Sequence, residues 1–123
     1  MKYKILYVDD EEINLRIFKN SFRRDFEVSV AKSGEEALKL LENELVDVVI
    51  TDQRMPKMTG VELLGIIHEK YHTIPPNRLI LSGYAENEDI QKAFKEYRLF
   101  KFIAKPWEYN ELKAIILDAI NLD

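Results

Sequence analysis

The sequence predicts an α/β fold in which helices cover both faces of a parallel five-stranded sheet. Five short runs of apolar residues alternate along the chain with five longer segments whose apolar residues recur at helical spacing. Connections of this kind are right-handed crossovers, which make the strands parallel. The chain has 123 residues, of which 46% are hydrophobic and 33% charged, as expected for one globular domain. We therefore expect a single domain that spans residues 1–123.

Short apolar runs place the strands at residues 4–8, 26–31, 46–51, 78–83 and 99–104. The fourth strand follows a break at Pro75-Pro76-Asn77. The first helix begins near Glu11, and the second and third helices begin with the spacing of capping boxes, at Ser33 with Glu36 and at Thr59 with Glu62.

The five helices are predicted from apolar residues three and four positions apart. In chain order, these are Leu15, Phe18 and Phe22, then Ala37, Leu38 and Leu41, then Val61, Leu63, Leu64, Ile66 and Ile67, then Ile90, Ala93, Phe94 and Tyr97, and finally Leu112, Ile115, Ile116 and Ala119. We expect the last helix to run to the end of the chain.

Polar side chains follow four of the predicted strands. They are Asp9, Asp10 and Glu11 after the first strand, Asp52 after the third, Ser82 at the end of the fourth and Lys105 after the fifth. Parallel strands bring these loops to one edge of the sheet, where ligands bind in folds of this class. Converging carboxylates raise one another's pKa unless a cation neutralises them, and oxygen ligands favour Mg²⁺. A carboxylate nucleophile, a hydroxyl donor and an ammonium group suit phosphoryl transfer.

Composition excludes several kinds of site. A formal net charge of -4 argues against nonspecific binding to nucleic acid, and we expect no direct nucleic-acid partner. The chain has no cysteine, which rules out disulfides, thiolate metal sites and a cysteine nucleophile. The N-terminal apolar run is too short for a signal peptide or a membrane span, so we expect a cytoplasmic protein without a membrane partner.

A set of motifs resembles the signature of receiver domains of two-component response regulators. The matching residues are Asp9-Asp10, Asp52 with Met55-Pro56, Ser82-Gly83 and Lys105-Pro106. The resemblance covers essentially the whole chain and implies a flavodoxin-like (βα)5 three-layer sandwich with strand order 2-1-3-4-5. Residues 82–85 and 105–107 are similar to those of receivers joined to HD-GYP phosphodiesterases or to hydrogenase-regulating transcriptional activators.

The resemblance implies a role for each matching residue. Asp52 would be the phosphoacceptor and would take phosphate from a phosphohistidine of a histidine kinase or phosphotransfer protein. Asp10, Asp52 and the backbone carbonyl of Arg54 would bind Mg²⁺, while Asp9 would hold a metal-bound water. Lys105 would pair with the phosphoryl group, next to a Lys-Pro bond that is cis in the family. The domain would catalyse only its own phosphorylation and dephosphorylation.

The resemblance also implies how such a domain would signal. Ser82 would be the switch hydroxyl and Phe102 the switch aromatic, whose movement changes the surface formed by the fourth helix, fifth strand and fifth helix. That surface would control a downstream protein or an output domain outside this sequence, and a phosphorylation-dependent homodimer is also compatible with the family. Arg54 and Tyr84 occupy positions that govern access of water to the acyl phosphate, and therefore its lifetime.

Two other functions remain open at this point. A Mg²⁺-dependent phosphohydrolase of the haloacid-dehalogenase kind also uses an aspartate nucleophile, but it places a second aspartate where this chain has Arg54. A module that binds partners without phosphorylation would keep the fold alone. We expect Trp107 to pack at a helix start, and His68 and His72 to lie on an exposed helix face rather than to bind metal, since no third ligand accompanies them.

Overall fold

The computed structural model describes residues 2–70, 78–83 and 87–121, with only the backbone at residues 87 and 89. Its five parallel strands form one sheet in the order β2-β1-β3-β4-β5, as predicted. The strands are β1 Lys4–Val8, β2 Glu27–Ala31, β3 Val48–Thr51, β4 Arg78–Ser82 and β5 Leu99–Ala104. The helices are α1 Glu12–Phe22, α2 Gly34–Leu41, α3 Gly60–Lys70, α4 Asn87–Glu96 and α5 Tyr109–Ile120.

The three central strands are buried along almost their whole length, which explains their continuous apolar sequences. Successive residues of a strand point to opposite faces, and two hydrophobic cores result. Leu6 and Val49 face the core beneath α2, α3 and α4, whereas Ile5 and Ile50 face the core beneath α1 and α5. Among the described helices, none is long and apolar enough to cross a membrane.

Both predicted N-caps are present, and the second is a complete capping box. The amide of Glu36 donates to Ser33 Oγ over 3.1 Å, and that of Glu62 donates to Thr59 Oγ1 over 3.2 Å. In the second box the amide of Thr59 also donates to Glu62 Oε1 over 2.9 Å, so the bonding is reciprocal. These short-range bonds explain why the starts of α2 and α3 could be read from the sequence.

Two strands begin later than predicted, because one local and one long-range hydrogen bond hold the residues before them. The amide of Phe26 donates to Phe22 O over 2.9 Å and so continues the end of α1, which leaves Glu27 as the first residue of β2. The chain bends at Asp47, whose carboxylate accepts from the amide of Lys4 over 2.8 Å, so β3 starts at Val48.

Other element ends also differ from the predictions. Strand β4 ends at Ser82 rather than at Gly83, α4 ends before Tyr97, and Phe94 is exposed rather than part of the buried face. Helix α5 ends at Ile120. The predicted break at residues 75–77 lies outside the described residues.

The register of the strands brings their carboxyl ends to one level. Val8 pairs with Thr51, and Ser82 pairs with Ala104. The pairing continues one residue beyond the strands, since the amide of Asp52 donates to Val8 O over 2.8 Å and that of Lys105 donates to Ser82 O over 3.0 Å. The loops that carry the predicted site therefore leave the sheet side by side.

Candidate functional site

Most of the predicted site residues line one cleft of about 320 Å³ at the carboxyl edge of the sheet. The residues that line it are Asp10, Glu11, Asn14, Asp52, Arg54, Ser82, Gly83 and Lys105. Asp9 lies directly below, fully buried, with its carboxylate in contact with Lys105. The convergence of four loops that the sequence predicted is therefore present in the structure.

Three aspartates in and next to this cleft form an acidic cluster. One carboxylate oxygen from each of Asp9, Asp10 and Asp52 lies within 4.8 Å of the other two. Asp9 and Asp52 are buried and Asp10 is exposed, so the cluster opens to solvent on one side. Hard oxygen ligands on a partly open site suit Mg²⁺, which keeps several waters when it binds to proteins. The cluster could therefore hold this ion.

Lys105 bridges two of these carboxylates. Its Nζ lies 3.1 Å from Asp9 Oδ2 and 3.5 Å from Asp52 Oδ2, and the Lys105-Pro106 peptide bond is cis, as expected. Burial alone would lower the pKa of Lys105, but the hydrogen bond to Asp9 and the charges of both carboxylates outweigh it and raise that pKa. The side chain therefore remains a cation at the floor of the cleft.

Asp52 is held in an environment that disfavours its charge. Burial raises its pKa, and this effect outweighs the opposing influence of Lys105 and of a hydrogen bond from Ser82, while the nearby charge of Asp9 raises it further. The amide of Gln53 donates to Asp52 Oδ1 over 2.8 Å, which leaves Oδ2 toward Lys105. A divalent cation in the cleft would relieve this unfavourable charge.

Asp9 is fixed by contacts that the sequence did not reveal. Its Oδ2 accepts from the phenol of Tyr7 over 2.7 Å and from Asn14 Nδ2 over 3.3 Å, and its Oδ1 accepts from the amide of Glu11 over 3.0 Å. Burial and the adjacent Asp9 raise the pKa of Tyr7. Tyr7 and Asp9 are two positions apart along β1 and its extension, and this same-face spacing was the available sequence signal.

The loop after Asp52 is pinned to the start of α3. The buried Gln53 side chain accepts from the amide of Val61 over 2.9 Å, and Gln53 O accepts from the amide of Gly60 over 2.9 Å. A Cβ atom at Gly60 would lie 2.3 Å from the carbonyl oxygen of Asp52, so only glycine allows this approach. Gln53 was also missed by sequence reasoning, since its role depends on the folded loop.

The remaining predicted residues have different positions. Ser82 is buried and lines the cleft, and Arg54 is exposed at its border. Phe102 is half-buried on β5 opposite Ile80 and packs against the core beneath α2, α3 and α4, outside the cleft. Tyr84 lies outside the described residues.

Two further expectations concern residues outside the cleft. Trp107 packs against Phe18 and Phe22 of α1, with ring centroids 6.2 Å and 5.4 Å away, as predicted for a residue at a helix start. The expectation of an exposed face was wrong for His68, which is half-buried with Nδ1 3.2 Å from Nη1 of the buried Arg78. His72 lies outside the described residues.

The chain is similar to known proteins over most of its length. A family model described as the response regulator receiver domain matches residues 5–117. The hydrogenase transcriptional regulatory protein HoxA of Bradyrhizobium diazoefficiens is 38% identical over 118 residues, which are 96% of this chain and 24% of HoxA. A probable cyclic di-GMP phosphodiesterase of Vibrio cholerae is 31% identical over 89% of this chain and 25% of its own length. The chain thus spans about a quarter of the length of these relatives.

The fold is also similar to that of a solved receiver domain along almost the whole chain. The signal receiver domain of an HD domain-containing protein from Pseudomonas fluorescens has a TM-score of 0.90 and is 30% identical, with 98% of this chain and 95% of that domain covered.

Proposed function

Because the chain belongs to the response regulator receiver domain family of two-component systems, we propose that it is a phosphoacceptor switch modified on Asp52. The observation that carries this proposal is the meeting of Asp10, Asp52, Ser82 and Lys105 in one cleft. Each of the chemical groups that phosphoryl transfer needs is present there: a nucleophile, a hydroxyl, a fixed cation and carboxylates for a metal.

In the proposed reaction, a carboxylate oxygen of Asp52 attacks the phosphorus of a phosphohistidine on a histidine kinase or phosphotransfer protein. A phosphorus–oxygen bond forms to Asp52, the phosphorus–nitrogen bond breaks, and the electron pair returns to the imidazole nitrogen. Lys105 Nζ is near Asp52 Oδ2, so it can neutralise charge on the arriving phosphoryl oxygens. The chain would promote only its own phosphorylation and dephosphorylation and would act as a signalling module.

We propose that Asp10, Asp52 and the backbone carbonyl of Arg54 hold Mg²⁺, with Asp9 bound to one of its waters. The spacing of the three aspartates supports this assignment. The ion would supply positive charge that offsets the carboxylates and the phosphoryl oxygens. Asp9 is occupied by Tyr7 and Lys105, which fits an indirect role better than direct ligation.

Phosphorylation would act on Ser82 and Lys105. It changes the charge at Asp52 from about one negative charge to about two and adds strong acceptor oxygens. Lys105 directly follows β5, and its amide donates to Ser82 O at the end of β4. Both residues are therefore connected to β5. A shift of β5 would move Phe102 and change the surface of α4, β5 and α5. Such a change needs a differential of only a few kcal/mol to alter a two-state population.

The partner of that surface is a downstream protein or an output domain, and a phosphorylation-dependent homodimer is included in the proposal. The relatives named above are about four times as long as this chain, which supports an output domain.

Arg54 is exposed at the border of the cleft and is proposed to tune the lifetime of the acyl phosphate, as is Tyr84. We propose a cytoplasmic location.

The geometry gives less support to the two alternatives. A phosphohydrolase of the haloacid-dehalogenase kind needs an acid two residues after its nucleophile, and the guanidinium of Arg54 cannot give up a proton. A module that works without phosphorylation would have no need for the complete set of cleft residues. Repeated turnover of a phosphomonoester would favour the first alternative.

The test is incubation of the protein with acetyl phosphate and Mg²⁺, followed by intact-mass measurement. The wild-type chain should gain one phosphate, and Asp52→Asn should gain none. Asp118→Asn, at an exposed position of α5, is the matched control and should be labelled like the wild type. Labelling of Asp52→Asn, or none of the wild type, would contradict the proposal.

A further inference from the structure

Tyr7 is a buried residue near the cleft, and its ring packs against α1. The residue is 1% exposed, and its ring stacks on Phe18 of α1 with a centroid distance of 4.2 Å and an interplanar angle of 18°. The phenol oxygen is thereby held 2.7 Å from Asp9 Oδ2. Tyr7 does not line the cleft that contains Asp52, and its hydrogen bond toward that cleft is the one to Asp9.

The same oxygen of Asp9 serves three donors. Besides the phenol of Tyr7, Oδ2 accepts from Lys105 Nζ over 3.1 Å and from Asn14 Nδ2 over 3.3 Å. A carboxylate oxygen offers about two lone-pair sites, so these donors share its capacity. The phenol makes the shortest of the three bonds. The phenol therefore competes with Lys105 for this oxygen.

Lys105 has space to leave Asp9. It lines the cleft of about 320 Å³ together with Asp52 and Ser82, and it also lines a cavity of about 430 Å³ together with Tyr7 and Trp107. If Lys105 moved toward Asp52, the buried Asp9 would still accept from the phenol and from the amide of Glu11. A buried carboxylate without such donors would resist the loss of its cation.

We propose that Tyr7 is a positioning residue, whose phenol holds Asp9 so that Lys105 is released from Asp9 to a phosphoryl group on Asp52. This inference rests on the proposed phosphoacceptor role of Asp52. Tyr7 transfers no proton and touches neither of the residues proposed as direct side-chain ligands of Mg²⁺. Its removal should thus affect the capture of phosphate more than the binding of the metal.

Tyr109 provides a matched control, because it shares two contacts with Tyr7 at a different place in the fold. Its ring also stacks on a phenylalanine of α1, with a centroid distance of 5.2 Å to Phe22. Its phenol also donates to an aspartate, Asp25, which is outside the cleft. Tyr109→Phe and Tyr7→Phe each remove one phenol–carboxylate bond and keep the ring.

The experiment measures two quantities for the wild type, Tyr7→Phe and Tyr109→Phe. The first is the rate of phosphorylation by acetyl phosphate at saturating Mg²⁺, and the second is the affinity of the unphosphorylated protein for Mg²⁺, by calorimetry. For Tyr7→Phe we expect a rate about tenfold lower, the size expected for a hydrogen bond to a charged group, with Mg²⁺ affinity within about threefold of the wild type. Tyr109→Phe should match the wild type in both. Circular dichroism establishes that each variant is folded at the assay temperature.

Three results would overturn the inference while leaving the phosphoacceptor role of Asp52 intact. They are an unchanged rate in Tyr7→Phe, a parallel loss of rate and Mg²⁺ affinity in that variant, and an equal loss of rate in Tyr109→Phe. The second would mean that Tyr7 only maintains the shape of the site, and the third that the aromatic cluster matters rather than the bond to Asp9. If the wild type itself takes no phosphate on Asp52, the proposed function fails first.

Discussion

Lys105 and Asp9 form an ion pair at the floor of the cleft, with Nζ 3.1 Å from Oδ2 and the carboxylate fully buried. The two residues are separated by 96 positions in the sequence, and only the parallel order of the sheet brings them together. This pair fixes the cation beside Asp52 before any ligand arrives. Its contribution to stability can be measured separately from any signalling role.

We predict that Lys105→Met lowers the free energy of unfolding of the metal-free protein by about 1–3 kcal/mol at neutral pH. The change leaves the buried Asp9 without its cation, and the loss is smaller than for a fully buried pair because Lys105 is partly exposed. Urea unfolding measures this difference. Lys101→Met, at an exposed position of β5, is the control and should change the value by less than about 0.5 kcal/mol. Equal losses in both variants would contradict the prediction.

Asp52→Asn should make the metal-free protein more stable at neutral pH. Burial raises the pKa of Asp52 in the folded state, so the folded protein binds a proton more readily than the unfolded chain. Stability therefore falls as the pH rises through the range between the ordinary pKa of aspartate and this raised one. The substitution removes that penalty and should raise the melting temperature by roughly 2 to 4 °C.

The melting temperatures of Asp52→Asn and the wild type can be compared under two further conditions. Below the ordinary pKa of aspartate, Asp52 is protonated in both states, so the advantage of Asp52→Asn should disappear. Addition of Mg²⁺ should stabilise the wild type more than the variant, because binding to the folded state alone raises its stability. An advantage that persists unchanged in acid would show that the charge of Asp52 is not its cause.

Gly60→Ala should damage both the fold and the site. The new Cβ would lie 2.3 Å from the carbonyl oxygen of Asp52 and 3.1 Å from Cγ2 of Thr51, so backbone must move. Overpacking of this kind costs about 2–3 kcal/mol, and phosphorylation by acetyl phosphate should also slow because Asp52 is displaced. Gly83→Ala is the control for stability alone, since a Cβ there meets nothing within 4 Å but Gly83 lines the cleft. A stable, fully labelled Gly60→Ala protein would contradict the structure of this loop.

Tyr109→Phe should reduce stability at neutral pH by a small amount that vanishes in acid. The hydrogen bond from Tyr109 lowers the pKa of Asp25 against the opposing effect of burial, with further help from Lys113. A lowered folded-state pKa gives stability above the ordinary pKa of aspartate, which is lost as the pH falls through the lowered value. Urea midpoints of the variant and the wild type should thus differ at pH 7 and converge below that range.

The sequence was sufficient to predict the main features of the fold. The strands Lys4–Val8 and Leu99–Ala104 have the predicted bounds, because apolar runs define them, and the capping boxes at Ser33 and Thr59 depend only on residues three positions apart. The convergence of the cleft residues followed from strand alternation, since parallel strands place their carboxyl ends together.

Features that depend on side chains meeting in three dimensions could not be predicted in this way. Tyr7 was read only as a strand residue, although its spacing from Asp9 indicates a shared face. Gln53 is buried because its amide group bonds to the start of α3, which no local pattern shows. His68 was placed at the surface because no third metal ligand accompanies it, whereas in the fold it contacts the buried Arg78.

Strand β5 lies at one border of the sheet and, among the described strands, pairs only with β4, with an irregularity near Arg78 and Leu79. Displacing such a strand disturbs a single ladder of hydrogen bonds, whereas β1, β3 and β4 are each hydrogen-bonded to a strand on both sides. In the mechanism proposed above, a shift that starts at Lys105 would therefore move β5 at low energetic cost. Strands β1, β3 and β4 would keep their positions while β5 moves.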